Sequence, residues 1–143
     1  MFVGVHERQL DERGRVALPP KFRDPLGDKC YLFSGDDGCV SLRSEASFAE
    51  EAADLIARVK SGEITRDRQR AFAASASEAT IDKQGRITLD ADLRGYASIE
   101  PQSGVVILGD LDHIEIWEPE AFSVRNSRGA SEITGTDTAG STT

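Results

Sequence analysis

The sequence predicts an α+β fold, mainly β, in which two related half-units share one pseudo-twofold β-barrel and a pair of helices is inserted between them. Three observations predict it. The segment Leu10-Asp11-Glu12-Arg13-Gly14-Arg15-Val16-Ala17-Leu18 recurs 71 residues later as Ile81-Asp82-Lys83-Gln84-Gly85-Arg86-Ile87-Thr88-Leu89. Apolar residues alternate with polar ones on both sides of each Asp/Gly turn, which is strand patterning. A stripe at helical spacing separates the copies. With 143 residues, 38% of them hydrophobic, the chain is long enough for one such core.

Residues 1–46 form the first half. Val3 and Val5 alternate with polar neighbours, Asp11 to Gly14 turn the chain, and Val16 and Leu18 alternate again, so strand, turn and strand read as a hairpin. An aspartate can accept from the backbone two residues on, and glycine adopts positive φ without steric cost. Pro19 and Pro20 stop the ladder, and Lys21-Phe22-Arg23 makes a short helical turn. Tyr31 to Leu42 reads as a second hairpin.

Residues 47–76 are the helical insert. Phe48, Ala52, Leu55, Ile56 and Val59 share one face, with Ser47 and Glu50 as a capping box and Gly62 beyond the end. This stripe could pack on the chain's own barrel or on a neighbouring subunit. A second helix starts at Thr65 and carries Phe72. Residues 77–122 repeat the first half, with Asp90 as a cap before Leu93, Asp92 to Gly95 as the helical turn and Val105 to Trp117 as the last hairpin. Trp117 is expected to fill the barrel with its indole N–H partnered at the rim. Residues 123–143, rich in Ser, Thr and Gly, read as a disordered tail. Each half is too small for its own core, and sharing a barrel would bury the edges that either would leave open.

The charge balance narrows the function. A net charge of −8 is not that of a typical nucleic-acid binder. Yet Glu7 to Arg23 holds five basic and three acidic side chains, whereas the last 44 residues hold eight acidic and two basic ones. The first motif therefore sits in a locally positive stretch. No apolar run is long enough to cross a bilayer, and the N-terminus lacks the basic and apolar regions of a secretory leader, so a cytoplasmic protein is expected. Cys30 and Cys39 are spaced unlike a zinc motif, and His6 and His113 fall in different repeats, so packing roles and no metal or cofactor are expected. No P-loop, Gly-x-Gly-x-x-Gly, Gly-x-Ser-x-Gly or His-Glu-x-x-His motif occurs, and no catalytic residue is expected.

Arg15 and Arg86 are the leading functional residues. Each could simply pair with Asp11 or Asp82 across its own turn, an exposed ion pair contributing about 0–1 kcal/mol. Each could also turn its planar fork outward, where it suits phosphate oxygens or a guanine edge. Arg13 and Lys83 stand beside them as assisting groups, and Arg8, Lys21, Arg23 and Arg94, close to the motifs, are further candidate DNA contacts.

The paired Asp-x-x-Gly-Arg motifs, together with Leu10 through Pro19, Lys21-Phe22-Arg23, Leu93-Arg94-Gly95-Tyr96-Ala97 and Ile114-Glu115-Ile116-Trp117, resemble the MraZ family over about residues 1–122. The resemblance implies two AbrB/SpoVT-like halves in one chain, forming a swapped-hairpin (double-split) β-barrel. It also implies a transcriptional regulator of the bacterial division and cell-wall gene cluster, cytoplasmic and nucleoid-associated. Such a protein would form a homo-oligomeric ring and bind short direct repeats in double-stranded promoter DNA. Arg13, Arg15, Lys83 and Arg86 would make the contacts, and Asp11, Gly14, Asp82 and Gly85 would shape the turns. Asp90 replaces a proline usual in the family, Ala73 and Ala74 replace more aromatic residues, and Arg125 to Gly129 read as loop where the family continues in helix. The competing class is a protein-interaction scaffold on the same barrel without DNA.

Overall fold

A computed structural model describes residues 1–135 and is α+β. The first half supplies β1 (Phe2–Gln9), β2 (Arg15–Ala17), α1 (Pro20–Leu26), β3 (Lys29–Ser34), a 3-10 turn (Asp36–Gly38) and β4 (Val40–Ser44). Helices α2 (Glu45–Lys60) and α3 (Arg66–Ser75) follow. The second half supplies β5 (Ser77–Thr80), β6 (Arg86–Thr88), α4 (Ala91–Tyr96), β7 (Gly104–Leu111) and β8 (His113–Trp117), and α5 (Pro119–Thr134) closes the described chain.

The strands pair across the repeats. The main sheet runs β1-β7-β8-β4-β3-β5, antiparallel throughout, and β2 pairs with β6 in a separate ribbon. The expected β1–β2 hairpin is therefore corrected: the Asp/Gly turn redirects the chain, and each strand finds its ladder in the other half. The alternation of Val3 and Val5 marks the outward face, because both are about half exposed while Phe2 is buried.

The registers reveal a local twofold relation. Val16 lies opposite its repeat equivalent Ile87, with Arg15 opposite Thr88 and Ala17 opposite Arg86. Leu18 N–H donates to the Gly85 carbonyl at 2.9 Å, and Leu89 N–H donates to the Gly14 carbonyl at 2.8 Å. In the main sheet, Val40 faces Ile116 and Leu42 faces Ile114 about a centre at Ser41 and Glu115. A closed barrel is not formed among the described residues. The main sheet ends on β1 and β5, because β2 and β6 are only three residues long and pair with each other instead of continuing the large ladder.

Period-2 alternation divides the sheet's faces. Leu32, Val40, Leu42, Ile107, Ile114 and Ile116 join Val16, Leu18, Ile87 and Leu89 of the ribbon, with Phe22, Leu26 and Leu93 of α1 and α4, in one core. The opposite face carries Phe33, Ser41, Arg43, His113, Glu115 and Trp117 beneath α2, α3 and α5. There Phe48 stacks on Tyr31 with centroids 4.3 Å apart and on Phe72 at 5.7 Å, so its stripe packs on its own chain, though Ile56 stays exposed. Trp117 is buried on this helix-covered face and not in the main core, beside Cys39, Val106 and Phe122. Its indole N–H donates to Glu115 Oε1 at 2.9 Å.

Two helix boundaries differ from the sequence reading. Helix α2 is capped by Ser44, whose hydroxyl accepts from Ser47 N–H at 3.2 Å, so it starts before the expected capping box. Residues 119–134 are helical, so 123–134 form a helix where a disordered tail was expected. Pro119 occupies the first turn, and Glu118 caps it by accepting from Ala121 N–H at 2.9 Å and Glu120 N–H at 3.1 Å. Phe122 then packs edge-on against Trp117, Arg125 reaches Asp37 at 3.5 Å, and Gly135 ends the helix in a left-handed conformation. The small residues here line a helix because its first turn is anchored; the rest of the expected tail, residues 136–143, lies outside the described residues. Asp90 caps α4 as expected, and Thr65, where the second helix was expected to start, caps α3.

Candidate functional site

Each Asp-x-x-Gly-Arg motif folds around its aspartate. Asp11 Oδ1 accepts from the backbone N–H of Arg13 and of Arg15, both at 2.9 Å, and Oδ2 accepts from Arg15 Nε at 2.7 Å. Asp82 repeats this with Gln84 at 2.9 Å, Arg86 N–H at 2.8 Å and Arg86 Nε at 2.9 Å. Donation from the Arg15 backbone N–H is the first reason that Asp11 sits below its ordinary carboxyl range, and Arg86 does the same for Asp82. Each carboxylate thus accepts three hydrogen bonds and holds its turn. Gly14 and Gly85 both take φ of +79°, as the turn requires.

The ribbon joins the two motifs on one surface. On its outward face Arg15 and Arg86 are diagonal neighbours, because Arg15 lies opposite Thr88 and Arg86 opposite Ala17. Arg86 Nη1 also comes within 3.9 Å of Asp11 Oδ2, so the four charged side chains form one cluster. The arginine side chains are 28% and 27% exposed, neither sealed nor fully free. Nε is bound to aspartate in each, while neither Nη of Arg15 has a hydrogen-bond partner among the described residues. Each arginine thus pairs with its own turn and stays partly exposed.

The other basic residues fall into two groups. Arg13 and Lys83 project from the turns and are exposed. Lys21 is exposed as well, its ammonium 5.8 Å from the Phe22 ring centre. Arg23 and Arg94 instead carry the architecture. Arg23 donates from Nε and Nη2 to the Leu18 carbonyl at 3.1 and 2.8 Å, and Arg94 Nη1 donates to the Leu89 carbonyl. Each guanidinium also lies against the glycine of the other repeat: a β-carbon on Gly85 would overlap Arg23, and one on Gly14 would overlap Arg94. Arg8 lies on β1, and its guanidinium donates to the Glu7 carbonyl at 2.9 Å. Cys30 and Cys39 are buried free thiols; burial pushes Cys30 up to about 11, out of reach of thiolate chemistry.

Chemically, the surface offers two fixed guanidinium edges with exposed cations beside them, the donor set that anionic phosphates or the acceptor edge of guanine would engage. The family model described as MraZ protein matches residues 1–70 and 72–139. The chain belongs to the MraZ family. Among its relatives, a protein of Nocardioides sp. is 40% identical over 118 residues, covering 82% of this chain and 81% of the relative. One from Cutibacterium acnes is 37% identical over 118 residues, covering 82% of each. One from Rhodococcus jostii is 36% identical over 138 residues, covering 94% of this chain and 95% of the relative. All three are named transcriptional regulator MraZ. The MraZ match extends across the segment that forms α5. No described helix is long and apolar enough to cross a membrane.

Proposed function

We propose that this MraZ-family chain is a sequence-specific transcriptional regulator that binds promoter DNA through the outward face of the β2–β6 ribbon. The observation that carries this reading is the cluster of Asp11, Arg15, Asp82 and Arg86, which puts two preoriented guanidinium groups side by side on one surface. Arg15 and Arg86 make the principal contacts, Arg13 and Lys83 assist, and Lys21 is within the same half. Residues 1–46 and 77–122 act as AbrB/SpoVT-like halves whose exchanged strands make a swapped-hairpin unit. The relatives' names support the regulatory role, and the division and cell-wall gene cluster is the expected target.

One subunit neutralises few phosphates, and the chain as a whole is acidic, so a single site binds weakly. Joining subunits in a ring lets neighbours engage successive direct repeats, and avidity then exceeds single-site affinity by about 10²–10⁴. The edge strand β1, with Val3 52% and Val5 51% exposed, gives such assembly a place to form. The test uses DNA from upstream of the chain's own gene, footprinted and then cut to one repeat or several. Several repeats should bind far more tightly than one. Arg15→Ala should weaken binding in a gel shift while light scattering reports unchanged assembly. Equal affinity for one repeat and several, or undiminished binding by Arg15→Ala, refutes the reading. A scaffold without DNA affinity would be the conclusion if no fragment bound.

A further inference from the structure

On the face of the main sheet opposite the ribbon, the β7–β8 hairpin brings together three metal-ligating side chains. Asp110 and His113 are direct cross-strand partners, and Glu115 lies two residues along β8 on the same face. One ligand atom from each lies within 4.8 Å of the others. His113 Nε2 stands 2.8 Å from Glu115 Oε2 and 3.7 Å from Asp110 Oδ2. Ligands about 2.0–2.2 Å from a tetrahedral zinc-type ion are about 3.3–3.6 Å from one another. The His113–Glu115 spacing is shorter than that and the His113–Asp110 spacing slightly longer, so the side chains shift by a few tenths of an ångström to take the ion.

The surroundings orient the three groups for a cation. His113 Nδ1 is 2.7 Å from Asp112 Oδ1, the contact by which a carboxylate fixes the tautomer of a metal-binding imidazole. Trp117 Nε1 donates to Glu115 Oε1, which leaves Oε2 as the oxygen turned to His113. Arg43 reaches the other oxygen of Asp112 at 3.6 Å and Glu51 at 3.6 Å, so its charge supports the orienting carboxylate. The side chains of His113 and Glu115 are only 15% and 16% exposed, while Asp110 opens onto a cavity of about 280 Å³ beneath α2 and α3.

We propose that Asp110, His113 and Glu115 form a binding site for one divalent first-row transition ion of the zinc class, with water from the cavity completing its coordination. One imidazole and two carboxylates suit that class better than magnesium or calcium, which favour all-oxygen shells. The site pins the β7–β8 hairpin beneath the helices and does not depend on the DNA-binding reading.

The test is a titration of the full-length, chelator-stripped chain with zinc chloride, followed by calorimetry and by the fluorescence of Trp117, the single tryptophan. One ion per chain should bind with micromolar or tighter affinity and change the emission through Glu115. His113→Gln and Asp110→Asn should each weaken binding by at least about tenfold. Asp110 is the most exposed of the three and its substitution tests the site without removing a buried group. Nitrogen NMR of the His113 ring should show Nε2 metal-bound with zinc in excess. Lack of saturable binding at millimolar zinc, binding undiminished in Asp110→Asn, or a ring protonated at both nitrogens with zinc in excess each overturns the proposal.

Discussion

Replacing Gly85 with alanine tests how the two halves lock together. The β-carbon would enter the space of the Arg23 guanidinium, and residue 85 would have to keep φ at +79°. Holding a non-glycine residue in the left-handed region costs about 1–2 kcal/mol. Arg23 can swing away only by leaving the Leu18 carbonyl, which it holds at 3.1 and 2.8 Å. Losing a charge-assisted hydrogen bond of this kind costs about 1.5–3 kcal/mol. Gly85→Ala should therefore destabilise the chain by about 2.5–5 kcal/mol. Arg23→Ala removes the obstacle together with the bonds, so in that background Gly85→Ala should cost only the backbone share, about 1–2 kcal/mol. The double-mutant cycle, measured by urea unfolding at fixed protein concentration, should thus show a coupling of about 1.5–3 kcal/mol. Equal costs of Gly85→Ala in the two backgrounds would refute the interlock.

Other consequences follow from the same contacts. Asp11 and Asp82 are held below the ordinary value of 3.8 by backbone donation from Arg15 and Arg86, then by the side-chain bonds. A depressed folded value stabilises above the unfolded value and is lost as pH falls through the folded one, so stability should decline below about pH 4. Asp11→Asn with Asp82→Asn should flatten that acid limb in urea unfolding against pH; an unchanged limb would exclude these carboxylates as its cause. Ile87, 1% exposed and opposite Val16, should cost about 2–5 kcal/mol when cut to alanine, read as a shifted urea midpoint. Phe122→Ala should release α5, lowering helical circular dichroism and moving Trp117 emission to longer wavelength at a cost of about 1–2 kcal/mol.

Much of this is legible in the residues because it rests on local rules. The duplicated Asp-x-x-Gly-Arg turns, the helix start at Thr65, the cap at Asp90 and the Phe48–Leu55 stripe are set by neighbours within a few positions. Strand partners are not. The pattern of Val3 and Val5 marks a strand but says nothing of whether β2 or β7 lies beside it, and an edge strand can expose its apolar side. The role of Arg23 and Arg94 is hidden for the same reason: each reads as a cation near a motif, and only the crossed ribbon places it on the opposite glycine. The closeness of His113 to Asp110 and Glu115 is hidden likewise, because it depends on the register of β7 against β8. Helix α5 is masked because serines, glycines and few large apolar residues outweigh its Glu118-Pro119 start and the anchor at Phe122.

The most direct measurement is the salt dependence of binding to footprinted promoter DNA, by fluorescence anisotropy, for the native chain and for Arg15→Ala with Arg86→Ala. The account predicts a steep linear fall of log affinity with log salt for the native chain. In the variant the slope should be shallower, by about one for each phosphate that the two arginines no longer neutralise in each engaged subunit. Affinity independent of salt, or a slope and affinity unaltered by removing both arginines, would contradict the claim that this ribbon grips DNA.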